Sequence, residues 1–115
     1  MAPSDELEAL AKILADWASP APGATLYLFG SRVRGDHKQA SDVDVSIEFK
    51  AATDAEVTWW AQINDDLFAI INSRLPGPLQ ILEEDDPVTA KVRSSPVVYR
   101  DRNVACVRTE PKQRP

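Results

Sequence analysis

Two aspartates, Asp42 and Asp44, open an apolar run within the segment LFGSRVRGDHKQASDVDVSIEF, residues 28–49. Alternate residues of a strand point to the same face, roughly 6.5–7 Å apart, so the two carboxylates repel each other unless they are solvated or share a cation. A hard divalent ion such as Mg²⁺ takes oxygen ligands and commonly uses one or two carboxylates together with substrate phosphates. The pair is therefore a candidate metal site, although exposed aspartates at the start of a strand are common and need no ligand.

A glycine–serine turn, Gly30 and Ser31, precedes the aspartates and follows the apolar run 24–29. Glycine lets a ligand approach the backbone closely, and backbone N–H groups at the start of a helix favour phosphate. The serine hydroxyl can donate to a phosphate oxygen. The G-K-[ST] ending of a P-loop is absent, and a turn of this kind standing alone is equally a plain loop.

The elements that position these residues follow from the hydrophobic pattern. Strands are predicted over residues 24–29, 42–49, 79–82 and 96–100. The first is almost entirely apolar, as in a strand buried on both faces, whereas the second alternates between apolar and polar residues. Helices are predicted over residues 5–18 with Ser4 as N-cap, over 31–38 with an end near Gly35, over 54–75 and over 87–94.

This order of elements predicts an α/β fold, a mixed sheet of about four strands with helices packed mainly on one face. The core stripe of the long helix is predicted to be Val57, Trp60, Ala61, Leu67, Phe68, Ile71 and Leu75. One domain is expected over residues 1–100. Residues 101–115 are charged, contain proline and lack periodicity, so they are expected to form a loose C-terminal tail.

Composition excludes several classes of protein. The 115 residues carry a net charge of −5, which argues against general binding to a nucleic-acid backbone but not against a nucleotide held through a metal. With one cysteine, Cys106, and one histidine, His37, neither a disulfide framework nor a Cys/His zinc site is expected. No apolar run approaches the roughly 20 residues of a membrane helix, and no signal pattern opens the chain, so a cytoplasmic protein is expected.

The turn and the aspartates together form a more specific motif, with Gly30, Ser31, Gly35, Ser41, Asp42 and Asp44 at fixed spacings. On this motif, the chain resembles the minimal nucleotidyltransferases of the DNA polymerase β-like superfamily. These small proteins are often the antitoxin half of a HEPN–MNT toxin–antitoxin pair. The resemblance covers nearly the whole chain in length and in element order, and it implies a nucleotidyltransferase-like fold.

The resemblance also implies a mechanism. Asp42 and Asp44 would hold Mg²⁺, two ions in a fully active protein, bound to a nucleoside triphosphate, with ATP expected first. Gly30 and Ser31 would contact the β- and γ-phosphates, and Arg32 or Arg34 could add positive charge there or remain solvated. Gly35 would let the turn close, and Ser41 would belong to the nucleotide-binding site, where it would orient Asp42 or cap the strand. The reaction would transfer a nucleoside monophosphate to an acceptor hydroxyl and release pyrophosphate.

One position departs from the family pattern. The third carboxylate of the family lies in an apolar string on the strand after the long helix, and the matching residue of LQIL is Gln80. A glutamine can offer a carbonyl oxygen but cannot act as a general base. Glu83 or Glu84 could replace the carboxylate, Glu48 is expected to be too far along its strand, and the register assigned to Gln80 could be shifted. Otherwise the protein is a weakened or inactive member that acts by binding.

The long helix suggests a partner. Its residues Trp59, Ile63 and Ile70 extend the apolar surface beyond the core stripe, and such a wide face lies under another layer or meets a partner. That partner could be a HEPN-type toxin or a second copy of the chain. The open readings are an enzyme that modifies a cognate toxin and an antitoxin that acts by contact. A small-molecule enzyme of the antibiotic-modifying kind is disfavoured, because a further helical domain is not expected here.

Overall fold

The computed structural model describes residues 5–21, 23–39, 41–50, 53–63, 66–83 and 85–109. The helices are α1 Asp5–Trp17, α2 Ser31–Arg34, α3 Asp54–Ile63, α4 Asp66–Arg74 and α5 Thr89–Arg93. The strands are β1 Ala24–Phe29, β2 Val43–Phe49, β3 Leu79–Leu82, β4 Val97–Asp101 and β5 Val104–Val107. The predicted N-cap Ser4 lies outside the described residues. None of the helices in the described segments is long and apolar enough to cross a membrane.

The five strands form one mixed sheet in the order β3-β2-β1-β5-β4. Strand β2 pairs antiparallel with β1 and parallel with β3, whereas β5 pairs parallel with β1 and antiparallel with β4. The predicted α/β class is confirmed, with five strands where about four were expected. Strands β3 and β4 are the two edges of this sheet.

The two faces of the sheet carry different helices. Val43, Val45 and Ile47 of β2 join a large core that includes Trp59 of α3 and Ile71 of α4, together with the buried side of α1. On the opposite face, Val92 of α5 packs with Ala105 and Val107 of β5 in a smaller cluster. The helices therefore lie mainly on one face, as the sequence predicts, and of the described helices only α5 covers the face on which Asp44 lies.

The predicted long helix differs from the structure in extent and in register. Two helices, α3 and α4, stand where one was predicted, and residues 64 and 65 between them lie outside the described residues. Trp59 is buried at 1% exposure, whereas Val57 and Trp60 are exposed at 56% and 42%. The predicted stripe is thus wrong at Val57, Trp60 and Ala61, which is also exposed, and the predicted outer face is wrong at Trp59. Of its other two members, Ile70 is exposed, and the side chain of Ile63 lies outside the description.

The burial of Trp59 has a tertiary cause. Its ring packs edge-on against Trp17, with 4.9 Å between ring centroids, and its Nε1–H donates to the Trp17 carbonyl at 3.1 Å. One turn earlier, the buried Glu56 accepts the Gly23 N–H. The register of α3 is therefore set by Trp17, 42 residues before Trp59, and by the buried carboxylate of Glu56, rather than by the apolar periodicity of the helix.

The prediction of a loose tail from residue 101 is wrong for the residues that form strands. Asp101 ends β4, and Val104–Val107 form the fully buried strand β5 between β1 and β4. A four-residue strand buried on both faces has no alternation, which is why the sequence pattern conceals it. Residues 110–115 lie outside the described residues.

Candidate functional site

The glycine–serine turn and the aspartates meet at the junction of β1 and β2. Phe29, the last residue of β1, is the register partner of Asp44 on β2. Gly30 follows with φ 89° and ψ −157°, and a Cβ atom at this position would collide with Oδ2 of Asp44. Only glycine combines this backbone conformation with room for the neighbouring carboxylate. The two halves of the motif are therefore in contact.

The short helix α2 closes the turn behind Ser31. The N–H groups of Val33 and Arg34 both donate to the Gly30 carbonyl at 3.1 Å. Gly35 ends the helix in the left-handed region, φ 89°, and donates its N–H to the Ser31 carbonyl at 2.8 Å. Gly35 thus closes the turn, which is the role expected of it from the sequence.

Arg32 supports the loop between α2 and β2. Its side chain is buried, and its guanidinium donates to the carbonyls of Gln39 and Ser41 and to Glu6, the last at 2.8 Å. The Ser41 hydroxyl accepts the Lys38 N–H at 2.8 Å. Arg32 therefore does not face the candidate phosphate side, and the hydroxyl and carbonyl of Ser41 fix the loop that leads into Asp42.

Asp42 and Asp44 lie at the start of β2, the first exposed and the second half-buried. Burial raises the pKa of Asp44, the nearby Asp42 carboxylate raises it further, and Arg34 partly offsets both effects. In the parallel pairing with β3, Gln80 is the register partner of Asp44 and is exposed. The structure therefore places the Gln80 amide beside the carboxylate pair, on the same face of the sheet.

These residues line one cavity of about 830 Å³. Of the residues singled out from the sequence, it brings together Gly30, Ser31, Arg34, Asp42, Asp44 and Gln80. Arg34 also contacts Asp36 at 3.2 Å and Thr109 at 3.3 Å. Arg32, Gly35 and Ser41 do not line this cavity, since they shape the turn and loop behind it.

Three further polar residues, which the sequence did not identify as site residues, also line the cavity, namely Asp86, Lys91 and Thr109. Asp86 was interpreted only as a helix cap, and it does accept the Val88 N–H at 2.9 Å. The sequence does contain a signal for Lys91, because a helix that follows β3 directly can fold back over the polar face of β2. Thr109 follows β5, which was assigned to the tail and so could not be placed.

The donor set suits a hard cation, although the third carboxylate of the cavity, Asp86, already accepts the Val88 N–H in the turn before α5. Among the described residues, no group of three or more Asp, Glu, His or Cys side chains is arranged to hold a metal ion. Two carboxylates and the Gln80 amide oxygen are nonetheless all hard oxygen donors of the kind that Mg²⁺ takes. The donor chemistry therefore fits Mg²⁺, for which Asp42 and Asp44 would be the charged ligands.

The two candidate replacements for the third carboxylate that the structure describes, Glu83 and Glu48, lie outside this cavity. Glu83 lines a neighbouring cavity rather than this one, and Glu84 lies outside the described residues. Glu48 accepts a hydrogen bond from the Tyr27 hydroxyl at 3.0 Å and contacts Arg93 at 3.6 Å, so its carboxylate is already paired further along β2.

Comparison with known proteins agrees with this geometry. No match is found among curated proteins, and none is found among solved structures. A family model described as "Nucleotidyltransferase domain" matches residues 8–95 of the 115, a range that contains Gly30, Ser31, Asp42, Asp44 and Gln80. The chain therefore belongs to the nucleotidyltransferase domain family.

Proposed function

We propose that this chain is a minimal nucleotidyltransferase, which binds a nucleoside triphosphate with Mg²⁺ and transfers the nucleoside monophosphate to a hydroxyl group. The observation that carries the proposal is the contact between Gly30 and Asp44. It joins the glycine–serine turn to the aspartate pair in one cavity of about 830 Å³. The family-model match supports nucleotide transfer as the general activity.

The residues divide into an acidic side and a basic side. Asp42 and Asp44 would hold Mg²⁺, which when bound supplies charge neutralisation at the phosphates and activation of the acceptor hydroxyl. Gly30 and Ser31 would receive the β- and γ-phosphates, and Arg34 would add positive charge beside them. The acceptor oxygen would attack the α-phosphorus, the bond from the α-phosphorus to the oxygen that bridges to the β-phosphate would break, and pyrophosphate would leave. The proton of the acceptor hydroxyl would pass to solvent.

The acceptor in this proposal is a hydroxyl on a cognate HEPN-type toxin protein in the cytoplasm, as the resemblance to antitoxin-type members implies. ATP is the first nucleotide to test. Because Gln80 cannot take a proton from the acceptor, turnover should be slow compared with binding.

The second candidate function is an antitoxin that acts by protein contact with little or no transfer. The observation that favours it is Gln80 itself, which stands beside Asp44 where a carboxylate would complete the site. The predicted contact face cannot be retained in full, because Trp59 is buried and only Ile70 of that set is exposed in the described structure.

The first test is calorimetric titration of ATP into the protein with Mg²⁺ and with EDTA. The variants are Asp42→Asn/Asp44→Asn and a control with the same change in charge, Glu83→Gln/Asp85→Asn, outside the site. Metal-dependent binding that is lost only in the first variant supports the proposal. No binding at millimolar ATP, or equal loss in both variants, contradicts it.

A second test separates the two candidate functions. Gln80→Asp restores a carboxylate beside Asp44 and should raise transfer to the acceptor by about tenfold or more. If Mg-ATP binds but neither the natural protein nor Gln80→Asp transfers a nucleotide to a co-purified partner, the contact function is favoured.

A further inference from the structure

A second cavity, of about 970 Å³, lies along β3 and adjoins the candidate site. Gln80, Ile81 and Leu82 line both cavities. Strand β3 is an edge strand, since β2 is its one neighbour among the strands that the structure describes. We call this cavity the β3 groove, and we define it by Phe49, Val57, Trp60, Ile81, Glu83 and Asp85.

The apolar wall of the β3 groove is exposed. Val57 and Trp60, one turn apart on α3, are 56% and 42% exposed. Phe49 packs edge-on against Trp60, with 5.6 Å between ring centroids and 86° between ring planes, and this contact fixes the indole in place. A fixed, half-exposed aromatic ring beside an open strand edge is typical of a surface that binds another chain.

The charge of the β3 groove is negative. The described residues that line it include four carboxylates, Glu48, Glu56, Glu83 and Asp85, and one cation, Arg93. Arg93 is already engaged, because it contacts Glu48 at 3.6 Å and donates to the Ile47 carbonyl at 3.0 Å. Glu83 and Asp85 are exposed and form no ion pair with the described residues. The groove therefore complements a positively charged ligand.

One of these carboxylates is buried and incompletely paired. Glu56 is 2% exposed, and one of its oxygens accepts the Gly23 N–H at 2.6 Å. Its other oxygen, Oε2, is buried without a hydrogen-bond partner among the described residues. A buried carboxylate oxygen without a partner is costly, and a cation in the adjoining groove would reduce that cost.

The edge of β3 is suited to an extended chain. The Val43 N–H donates to the Pro78 carbonyl at 2.8 Å, and the Leu79 N–H donates to Asn72 Oδ1, also at 2.8 Å. Because successive peptide groups of a strand alternate in direction, those of Ile81 point away from β2 towards the open side. An extended segment can therefore add to this edge, with its side chains in the groove.

We propose that the β3 groove binds a basic, extended segment of the acceptor protein. Its apolar side chains pack on Phe49, Val57 and Trp60, and its lysine or arginine side chains meet Glu83 and Asp85. Because Gln80 and Ile81 also line the nucleotide cavity, the bound segment passes beside Asp44 and presents a hydroxyl there. This last step rests on the proposed nucleotidyltransferase function, whereas binding of the segment does not.

The test uses a fluorescein-labelled peptide of about ten residues that alternates lysine and valine around one serine, with fluorescence anisotropy as the readout. The control peptide has glutamate in place of every lysine. In the absence of nucleotide, the lysine peptide should bind at least about tenfold more tightly than the glutamate peptide, and its affinity should fall with added salt.

The variants locate the binding site. Trp60→Ala and, separately, Glu83→Lys should each weaken binding of the lysine peptide by about fivefold or more. Val98→Ala is the matched control, because Val98 is 43% exposed on β4, the opposite edge of the sheet. Glu83→Lys replaces an exposed side chain, so it keeps the test decisive if Trp60→Ala unfolds.

The outcomes separate this inference from the proposed function. Equal binding of the two peptides, or equal weakening by Val98→Ala and Glu83→Lys, overturns the groove. Peptide binding without any Mg-ATP binding keeps the groove and rejects the nucleotidyltransferase function. Mg-ATP binding without peptide binding rejects the groove and keeps the nucleotidyltransferase function.

Discussion

Gly30→Ala is the substitution whose consequences follow most directly from the geometry. At φ 89° and ψ −157° the backbone of Gly30 lies in a region essentially restricted to glycine, and placing alanine there costs about 1–3 kcal/mol. The new Cβ would also collide with Oδ2 of Asp44. We therefore expect the free energy of unfolding to fall by more than the backbone cost alone.

Gly35→Ala provides a matched control for the backbone term. Gly35 also has φ 89°, but a Cβ there meets no atom within 4 Å. Its cost should be limited to left-handed strain of about 1–2 kcal/mol. For a chain of this size, 1 kcal/mol corresponds to about 4 °C in Tm, so Gly30→Ala should unfold several degrees below Gly35→Ala.

A double-mutant cycle isolates the collision. Asp44→Ala removes the oxygen that the new Cβ would meet, so Gly30→Ala should be less damaging in that background, with a coupling energy of about 0.5–3 kcal/mol. Urea denaturation of the four proteins measures this coupling. Additive effects, or equal losses for Gly30→Ala and Gly35→Ala, would refute the contact between the turn and the aspartate.

Three further substitutions or probes test other parts of the structure. Arg32→Met removes the buried guanidinium that donates to the Ser41 carbonyl and to Glu6. It should lower the free energy of unfolding, measured by urea denaturation, by roughly 2–4 kcal/mol. A loss below about 0.5 kcal/mol would contradict these contacts. Asp44→Asn should raise Tm at pH 7 in EDTA, because burial and Asp42 raise the pKa of Asp44. The native state therefore holds the Asp44 proton more tightly than the unfolded state does. The free energy of unfolding falls as pH rises from the pKa of Asp44 in the unfolded state to its pKa in the native state. The gain in Tm should vanish at about pH 3, where Asp44 is protonated in both the native and the unfolded state. A gain in Tm that persists at this pH would point to another cause. Burial raises the pKa of the Cys106 thiol to about 12. A thiol reagent at about pH 8 should therefore label the native protein only at the rate at which β5 opens. Labelling as fast as that of the protein unfolded in urea would place Cys106 at the surface.

The placement of the glycine–serine turn and of the aspartates was predictable from the sequence, because it depends on local backbone geometry. The strict alternation of 42–49 fixes Asp44 on the polar face of β2, and the apolar run 24–29 followed by glycine predicts a strand that ends at a turn. Both signals span only a few residues, within which backbone geometry alone decides the direction of each side chain. The mixed sheet and the placement of most helices on one face were predicted from the order of these elements.

Several features depend on residues distant in the chain, and the sequence pattern missed them. β5 has no alternation because it is buried on both faces, and only its parallel pairing with β1 identifies it as a strand rather than a tail. Trp59, rather than Trp60, is buried because Trp17 offers both a ring and a carbonyl. Arg32 serves the loop rather than the cavity because the Gln39 and Ser41 carbonyls converge on it.

The candidate site shows the same division between local and tertiary information. The sequence by itself determined which residues form the acidic pair, the turn and the neutral position Gln80. The tertiary structure decided that Gly30 touches Asp44, that Gln80 stands beside it, and that Asp86 and Lys91 complete the cavity wall. These contacts join segments separated by 14 to more than 40 residues, and sheet pairing and the packing of α5, rather than local propensity, bring them together.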